Sequence, residues 1–252
     1  MNRRLKQVAS PWRSLWIVNQ RKIARDVLLR RLGVERSYRP AALFRHPDWN
    51  FDDPLKLAVA YALRRRPDFT FLQVGAFDGR TDDPIYPLVE EFGIRGIVVE
   101  PQIQMLETLR ASYAEYPQVV VVNAAIADEE GTRELYSTRG GPSRKASFFQ
   151  SNLLKHGVRP ADIVAQTVRC TTIGNLMRGQ GFERCDLIQI DAEGFDAAIV
   201  RTIDFQAVQP SIVRFEHVHL SETDCDRCVE LLAHHGFRFI GQRRDIIALR
   251  AL

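Results

Sequence analysis

The chain has 252 residues, 45% of them hydrophobic and 26% charged, which suits one α/β domain with an extension, or at most two domains, and is ample for a sizeable core. No stretch approaches the ~20 apolar residues of a membrane span, the N-terminus lacks the apolar h-region of a secretory signal, and four scattered cysteines fit reduced thiols in a cytoplasmic protein better than a disulfide framework. The net charge of +4 is unevenly placed: residues 1–40 hold eleven Arg or Lys against Asp26 and Glu35, while the rest of the chain carries 24 basic and 29 acidic side chains.

The basic charge therefore belongs to an N-terminal extension. Trp12, Trp16 and Ile17 are spaced for one helical face, with Arg13 and Lys22 on another. Such a segment can lie on an anionic membrane surface, and a helix packed on the domain with a solvated basic face fits the same pattern. Nucleic acid gets little support, because neither aromatic-rich repeats nor a zinc framework is present. Residues 41–68 read as a connecting region and a helix from Pro54 to Arg66, with Leu55, Val59 and Ala62 or Leu63 as its apolar stripe. Arg64 to Arg66 suit the negative end of that helix, and Pro67 stops it. The expected organisation is a basic, mainly helical extension over 1–68 and a catalytic domain over 69–252.

Residues 69–100 organise the domain. Phe69 to Val74 is a short apolar run, as expected of a strand covered on both faces. Gly75 and Gly79 follow, letting the backbone turn sharply and approach a ligand. Asp83 and Pro84 read as the N-cap and first position of a helix. Ile97 to Val99 is the next strand, and Glu100 sits at its carboxyl end, where a carboxylate can accept from both hydroxyls of a ribose. A dinucleotide site wants G-x-G-x-x-G around a pyrophosphate. Gly75-Ala-Phe-Asp-Gly79 has only two glycines and carries Asp78, whose charge repels a phosphate and suits a phosphate-free cation such as S-adenosylmethionine. That choice disfavours an NAD oxidoreductase.

Beyond Glu100, Gln102 to Ala114 reads as a helix and Val119 to Ile126 as one β-branched strand ending in Asn123-Ala124-Ala125. The two alanines can admit a flat adenine ring, with Asn123 nearby, or simply pack. Asp128 to Gly131 is a turn and Thr132 to Ser137 a returning strand. Thr138 to Ser147 is polar and breaker-rich, a lid over a substrate or an exposed loop. A helix over Ser147 to His156, a strand over Val164 to Cys170 and a helix over Thr171 to Gly179 follow.

Leu187 to Ile190 is a buried strand with Asp191 and Glu193 at its carboxyl end and Gly194 turning into a helix from Phe195 to Ile203. These acids are suited to binding a metal, holding a cofactor's amine, acting on a substrate hydroxyl, or capping the helix. Ser211 to Phe215 is a further strand, with Glu216-His217-Val218-His219 at its end; histidine is matched to proton transfer near neutral pH, and His-x-His is a weak metal signal. Cys225, Cys228, Val229 and Leu232 follow helical spacing, so a core face is expected rather than a redox or zinc pair. Phe237 to Gly241 and Ile246 to Leu249 make a closing antiparallel hairpin.

Five motifs in order resemble the FkbM-type methyltransferases: Phe71-Leu-Gln-Val-Gly-Ala-Phe-Asp-Gly, Val98-Val-Glu-Pro, Val122-Asn-Ala-Ala-Ile-Ala-Asp, Leu187-Ile-Gln-Ile-Asp-Ala-Glu-Gly-Phe-Asp and Phe215-Glu-His-Val-His-Leu. The resemblance spans about residues 69–250 and leaves out the basic extension. It implies a class I, Rossmann-like methyltransferase: a mainly parallel seven-stranded sheet with a reversed last hairpin, using S-adenosylmethionine to methylate hydroxyls on sugars, glycans or natural products. It implies Gly75, Asp78 and Gly79 as the cofactor loop, Glu100 as the ribose ligand, and Asn123, Ala124 and Ala125 beside the adenine. Many members carry Asp where this chain has Gln73, whose amide accepts from the cofactor's amine without full charge. Asp191 is expected to serve both cofactor and chemistry. His217 is the expected base with Asp191 next, while Glu193 and Glu216 orient the acceptor or a divalent cation such as Mg2+. A rival expectation is a non-catalytic module that keeps the fold and binds a partner or membrane through residues 1–40.

Overall fold

The computed structural model describes residues 53–250; the basic face around Trp12, Trp16 and Ile17, and the membrane contact expected of residues 1–40, lie outside the described residues. Helix α1 (Pro54–Leu63) starts where Asp53 accepts from the Leu55 N–H at 2.8 Å and Pro54 occupies the first turn. Its Leu55, Val59 and Ala62 are buried against Phe69 and Phe71 at the start of the sheet. The helix stops three residues short of Arg66, whose guanidinium instead reaches the buried Asp186 carboxylate at 3.0 Å.

The chain then alternates: β1 (Thr70–Val74), α2 (Tyr86–Phe92), β2 (Arg95–Val99), α3 (Leu106–Ser112), β3 (Val119–Val122), β4 (Ala125–Ile126), β5 (Gly131–Thr138), α4 (Gln150–Lys155), β6 (Ile163–Thr171), α5 (Ile173–Gly179), β7 (Leu187–Ile190), α6 (Asp196–Arg201), β8 (Ile212–Glu216), α7 (Glu222–His234), β9 (Phe237–Gly241) and β10 (Asp245–Arg250). Seven strands form one sheet in the order β3-β2-β1-β7-β8-β10-β9. The first five run parallel, and β10 and β9 pair antiparallel. Seven strands with a reversed last hairpin are the class I methyltransferase sheet that the motifs imply. The strand order turns back between β1 and β7, and ligands of open α/β sheets bind beyond the carboxyl ends of strands at such a point.

β1 is buried along its whole length, because both faces of the sheet are covered. Leu72 and Val74 join Ile97, Val99, Ile188, Ile190, Val213 and Phe215 in one core. Phe71 joins Val98, Leu187 and Ile212 under α1, α2 and α3 in the other. Each such side chain contributes ~1.5–3 kcal/mol by leaving water. Gly96 has no side chain because Phe71 fills its place: a Cβ there would lie 2.4 Å from the ring. On α7, Cys228 and Leu232 are fully buried and Cys225 partly so, and all are free thiols where cysteine, as expected of a core face.

Besides the shorter α1, the helix expected over Gln102 to Ala114 is a 3-10 turn at Ile103–Met105 followed by α3, and other elements pair or begin differently. The strand expected over Val119–Ile126 is two strands: β3 stays in the large sheet, while β4 pairs parallel with β6 in a small sheet that β5 completes. Asn123 causes the break. Its amide donates to the carbonyls of Glu100 at 2.8 Å and Pro101 at 3.0 Å, pinning the chain at the sheet edge while Ala125 and Ile126 peel off toward Cys170 and Thr171. The returning strand β5 pairs antiparallel with β6. Helix α2 begins at Tyr86 with Ile85 as its N-cap, so Asp83 and Pro84 are not its cap and first position; Asp83 instead closes the turn before it, accepting from the N–H groups of Ile85 and Tyr86 at 2.7 Å each. No helix among the described residues is long and apolar enough to cross a membrane.

Candidate active site

A cleft of about 670 Å3 opens at the carboxyl ends of β1, β2, β7 and β8. On the β1–β2 side the chain leaves Val74 through Gly75, whose φ of +79° and missing side chain are both required: a Cβ would sit 2.0 Å from the Asp191 carbonyl oxygen. This glycine lets two strand ends meet as well as lining the cleft. Gly79 (φ +66°) is packed against Leu109 and Tyr113 of the α3 layer and is not in the cleft wall. Between them Phe77 takes a left-handed φ of 48°, strain that a non-glycine residue carries only when its surroundings impose it. Its N–H donates to Glu100 Oε2 at 2.9 Å.

Glu100 is 2% exposed and lines the cleft. Its Oε1 accepts from the Gln102 N–H at 2.9 Å and the Gln102 amide at 3.0 Å, and its Oε2 from Phe77. A carboxylate offers about four lone-pair sites, so this one keeps a single acceptor position, enough for one ribose hydroxyl rather than both. Burial raises its pKa, and the bonds from Gln102 and Phe77 offset only part of that. Ala124, Ala125, Ile126, Leu135 and Phe148 form the apolar wall beyond it. Asn123 stands behind the wall, with both amide hydrogens spent on the Glu100–Pro101 turn.

Asp78 and Gln73 lie outside the cleft lining. Asp78 builds the turn: its carboxylate accepts from the N–H groups of Arg80 and Thr81 and from the Thr81 hydroxyl. Burial opposes its charge, yet those bonds and Arg144 at 2.8 Å hold its pKa below the ordinary aspartate value. Gln73 is buried on the α2 side, its amide donating to Asp83 at 2.6 Å while its Oε1 has no hydrogen-bond partner among the described residues. An Asp here would set two carboxylates against each other; the amide converts that pair into a donor and an acceptor. The loop over Thr138–Ser147 closes the rim. Ser143 exchanges two hydrogen bonds with the Gln102 side chain, at 2.8 and 3.1 Å, and the Arg144 guanidinium lies 4.7 Å from the centre of the Phe77 ring.

The β7–β8 side has the opposite character. The turn after β7 is capped by Asp196, which is fully buried and accepts from the N–H groups of Ala192, Gly194 and Glu216 at 3.2–3.4 Å. Capping therefore does not consume Asp191 or Glu193, and both line the cleft. Glu193 has a left-handed φ of 47°, its carbonyl held by Ser147 Oγ at 2.7 Å and the Asn152 amide at 2.9 Å. Glu216 projects from the end of β8 and is 2% exposed, with Arg244 donating to its Oε1 at 2.5 and 3.0 Å. Asp191 faces the cleft's solvent but is hemmed in by protein. Burial, then Glu216 and Asp245, push its pKa up to about 7. Burial, then Asp191 and Glu216, push Glu193 up to about 8.

Of the sequence-predicted histidines, His217 is not brought into this group. Its Nε2 lies 3.2 Å from the Gln242 carbonyl and its N–H donates to the Arg244 carbonyl, so it serves the β9–β10 turn. His219, two residues on, turns back instead: its Nε2 is 3.3 Å from both Glu193 Oε2 and Glu216 Oε2. His156, at the end of α4, lines the cleft with its Nε2 3.9 Å from Glu193 Oε2 and its ring 5.0 Å from that of His219. Burial lowers the pKa of both imidazoles. His219 lay within a motif already singled out, whereas His156 had no local signal, because only the fold of α4 onto the β7 turn brings it here.

The family described as "Methyltransferase FkbM domain" matches residues 73–239. Among solved structures, the chain is similar to the methyltransferase FkbM from Methylobacillus flagellatus KT (14% identity, TM-score 0.46, 72% of this chain and 43% of that one), so it spans less than half of that protein's length. It is also similar to an O-methyltransferase from Bacillus cereus in complex with SAH (12% identity, TM-score 0.43, 90% and 97% of the two chains). A third is an SAH-bound methyltransferase from Podospora anserina (11% identity, TM-score 0.39, 100% of both chains). No curated protein sequence matches significantly. With the family match covering well over half of the chain, this protein belongs to the FkbM methyltransferase family.

Proposed function

We propose that the protein transfers a methyl group from S-adenosylmethionine to a hydroxyl of a sugar, glycan or natural-product acceptor. The observation that carries this reading is the pairing, across one cleft, of a buried carboxylate with one acceptor position left and a group of crowded carboxylates of raised pKa. The first suits a ribose hydroxyl. The second is a set of carboxylates whose burial and mutual repulsion a cationic, phosphate-free nucleoside relieves. The small apolar wall at Ala124, Ala125 and Ile126 suits a flat base.

S-adenosylmethionine, when bound, supplies an electrophilic methyl group on its sulfonium. Glu100 holds the sugar, and Asp191, at the foot of the cleft, takes the amino group. Gln73, committed to Asp83, supports the floor rather than touching ligand. Glu193 is the base that fits best: it lines the cleft, its pKa is pushed up to about 8, and Asn152 holds its Oε2 at 3.2 Å. A base tuned near neutrality accelerates proton removal by roughly 10^2–10^4, and an alcohol is a poor nucleophile until that proton leaves. His217 is replaced in this role because its ring is turned to the Gln242 carbonyl. The remaining contribution is alignment of acceptor oxygen and methyl group by a rigid rim, clasped by Gln102–Ser143 and Asp78–Arg144.

Incubation of the full chain with methyl-labelled S-adenosylmethionine and a panel of glycans and hydroxylated metabolites tests this. Label appearing in an alkali-stable ether is expected. Label only on nitrogen or carbon acceptors, or none with any acceptor despite bound cofactor, contradicts it.

A further inference from the structure

We propose that His156, Glu193 and His219, with Glu216 beside His219, form a binding site for a divalent transition-metal ion, such as Zn2+, on the β7–β8 side of the cleft. Three polar atoms converge there without hydrogen-bond partners among the described residues: His156 Nε2, His219 Nε2 and Glu216 Oε2. Glu216 is 2% exposed, so water does not make up the loss. A buried group left unpaired in this way costs ~1–3 kcal/mol, more when charged, and such groups call for an explanation such as an ion.

The spacing fits an ion. His219 Nε2 lies 3.3 Å from Glu193 Oε2 and 3.3 Å from Glu216 Oε2, and His156 Nε2 lies 3.9 Å from Glu193 Oε2. With metal–ligand bonds of ~2.1 Å, neighbouring ligand atoms stand about 3.0 Å apart in an octahedral shell and about 3.4 Å apart in a tetrahedral one. The His219–Glu193 and His219–Glu216 edges already match, and the His156–Glu193 edge closes with a shift of about half an ångström to one ångström. His156, Glu193 and His219 offer ligand atoms all within 4.8 Å of one another, and Asp191, Glu193 and Glu216 do the same, so the two groups meet at Glu193.

The ligand types choose the metal. Two imidazoles with carboxylates suit Zn2+, Mn2+, Fe2+ or Co2+, whereas Mg2+ and Ca2+ prefer an all-oxygen shell. Four protein ligands at most leave room for an oxygen in an expanded shell, and the site faces the cleft. The function of the ion rests on the methyl-transfer reading: it would polarise the acceptor hydroxyl, and Glu193, held to the ion through Oε2, would take the hydroxyl proton on Oε1. The existence of the site does not rest on that reading.

The full chain, stripped with chelator, is titrated with Zn2+ by calorimetry and with Co2+ by visible absorption. One saturable equivalent per chain is expected. With Co2+, two paramagnetically shifted, exchangeable imidazole N–H proton signals are expected, a reading that needs no variant. His156→Gln and His219→Gln should each weaken Zn2+ at least tenfold and remove one shifted signal, with circular dichroism unchanged. No saturable uptake by the parent chain, or uptake without imidazole signals, overturns the site and leaves an ordinary His219–carboxylate ion pair. S-adenosylmethionine affinity is measured on the same samples. Metal bound without cofactor would sink the proposed function and spare the metal site, and cofactor bound without metal would do the reverse.

Discussion

The two halves of the cleft are built on opposite principles. On the β1–β2 side most polar groups have partners: Glu100 accepts from three N–H donors, Asp78 is bonded by its own turn and by Arg144, and both amide hydrogens of Asn123 are used. On the β7–β8 side Asp191, Glu193 and Glu216 crowd together, and three nitrogen and oxygen atoms of His156, His219 and Glu216 are left without hydrogen bonds among the described residues. A largely satisfied region makes a preformed seat, at the cost of a buried Glu100 and a left-handed Phe77. A frustrated one is retained against its own electrostatic cost, and such places are where chemistry is done. In the proposed function the sugar of the cofactor is held by the first half, and the proton is taken by Glu193 in the second.

The largest effect that would sharpen this division comes from Glu193→Gln. Turnover should fall by roughly 10^2–10^4, while S-adenosylmethionine affinity stays within about threefold, less than the tenfold that 1.4 kcal/mol represents. Single-turnover kinetics beside calorimetry separates the two, and a variant that loses cofactor as severely as rate would erase the division. Next comes Glu100→Ala, which removes a charged acceptor worth ~1.5–3 kcal/mol. It should weaken the cofactor roughly ten- to a hundred-fold. A thermal scan is needed with it, since the N–H groups of Phe77 and Gln102 lose their acceptor.

A pH series tests the same carboxylate without a mutation. Burial raises the Glu100 pKa above the ordinary glutamate value, and the ionised form is the one that accepts a ribose hydroxyl through every lone pair. As pH falls, protonation therefore begins earlier than for an exposed glutamate, and affinity drops through a window lying above that ordinary value. Calorimetry from about pH 7 downward should record the loss, and Glu100→Gln should flatten it. The smallest effect is His217→Ala. Because His217 serves the Gln242 turn, turnover should stay within about threefold, the scale of one ordinary hydrogen bond. A collapse in rate with the fold intact would return His217 to the chemistry.

Much of the first half was legible in the sequence, and less of the second. The apolar run into Gly75, the turn at Asp83 and the acid after Val99 are all local signals, since strand burial, positive φ and turn bonding are decided within a few residues. The strand break at Asn123 was hidden because two alanines continue an apolar pattern whichever sheet they join. Gly75 read as making room for a ligand, and its nearest obligation is to the Asp191 carbonyl, a contact between strands more than a hundred residues apart. The choice of His217 over His219 turned on which side of a strand end each ring takes. That is set by the returning hairpin and by His156 on α4, and no spacing within one motif records it.

The central claim is the division of labour across the cleft, and parallel calorimetric titration of the parent chain, Glu100→Ala and Glu193→Gln with S-adenosylmethionine tests it most directly. Saturable one-to-one uptake by the parent chain and by Glu193→Gln, with clear weakening only in Glu100→Ala, is the predicted result. No saturable uptake by the parent chain at millimolar ligand, or weakening confined to Glu193→Gln, would contradict it.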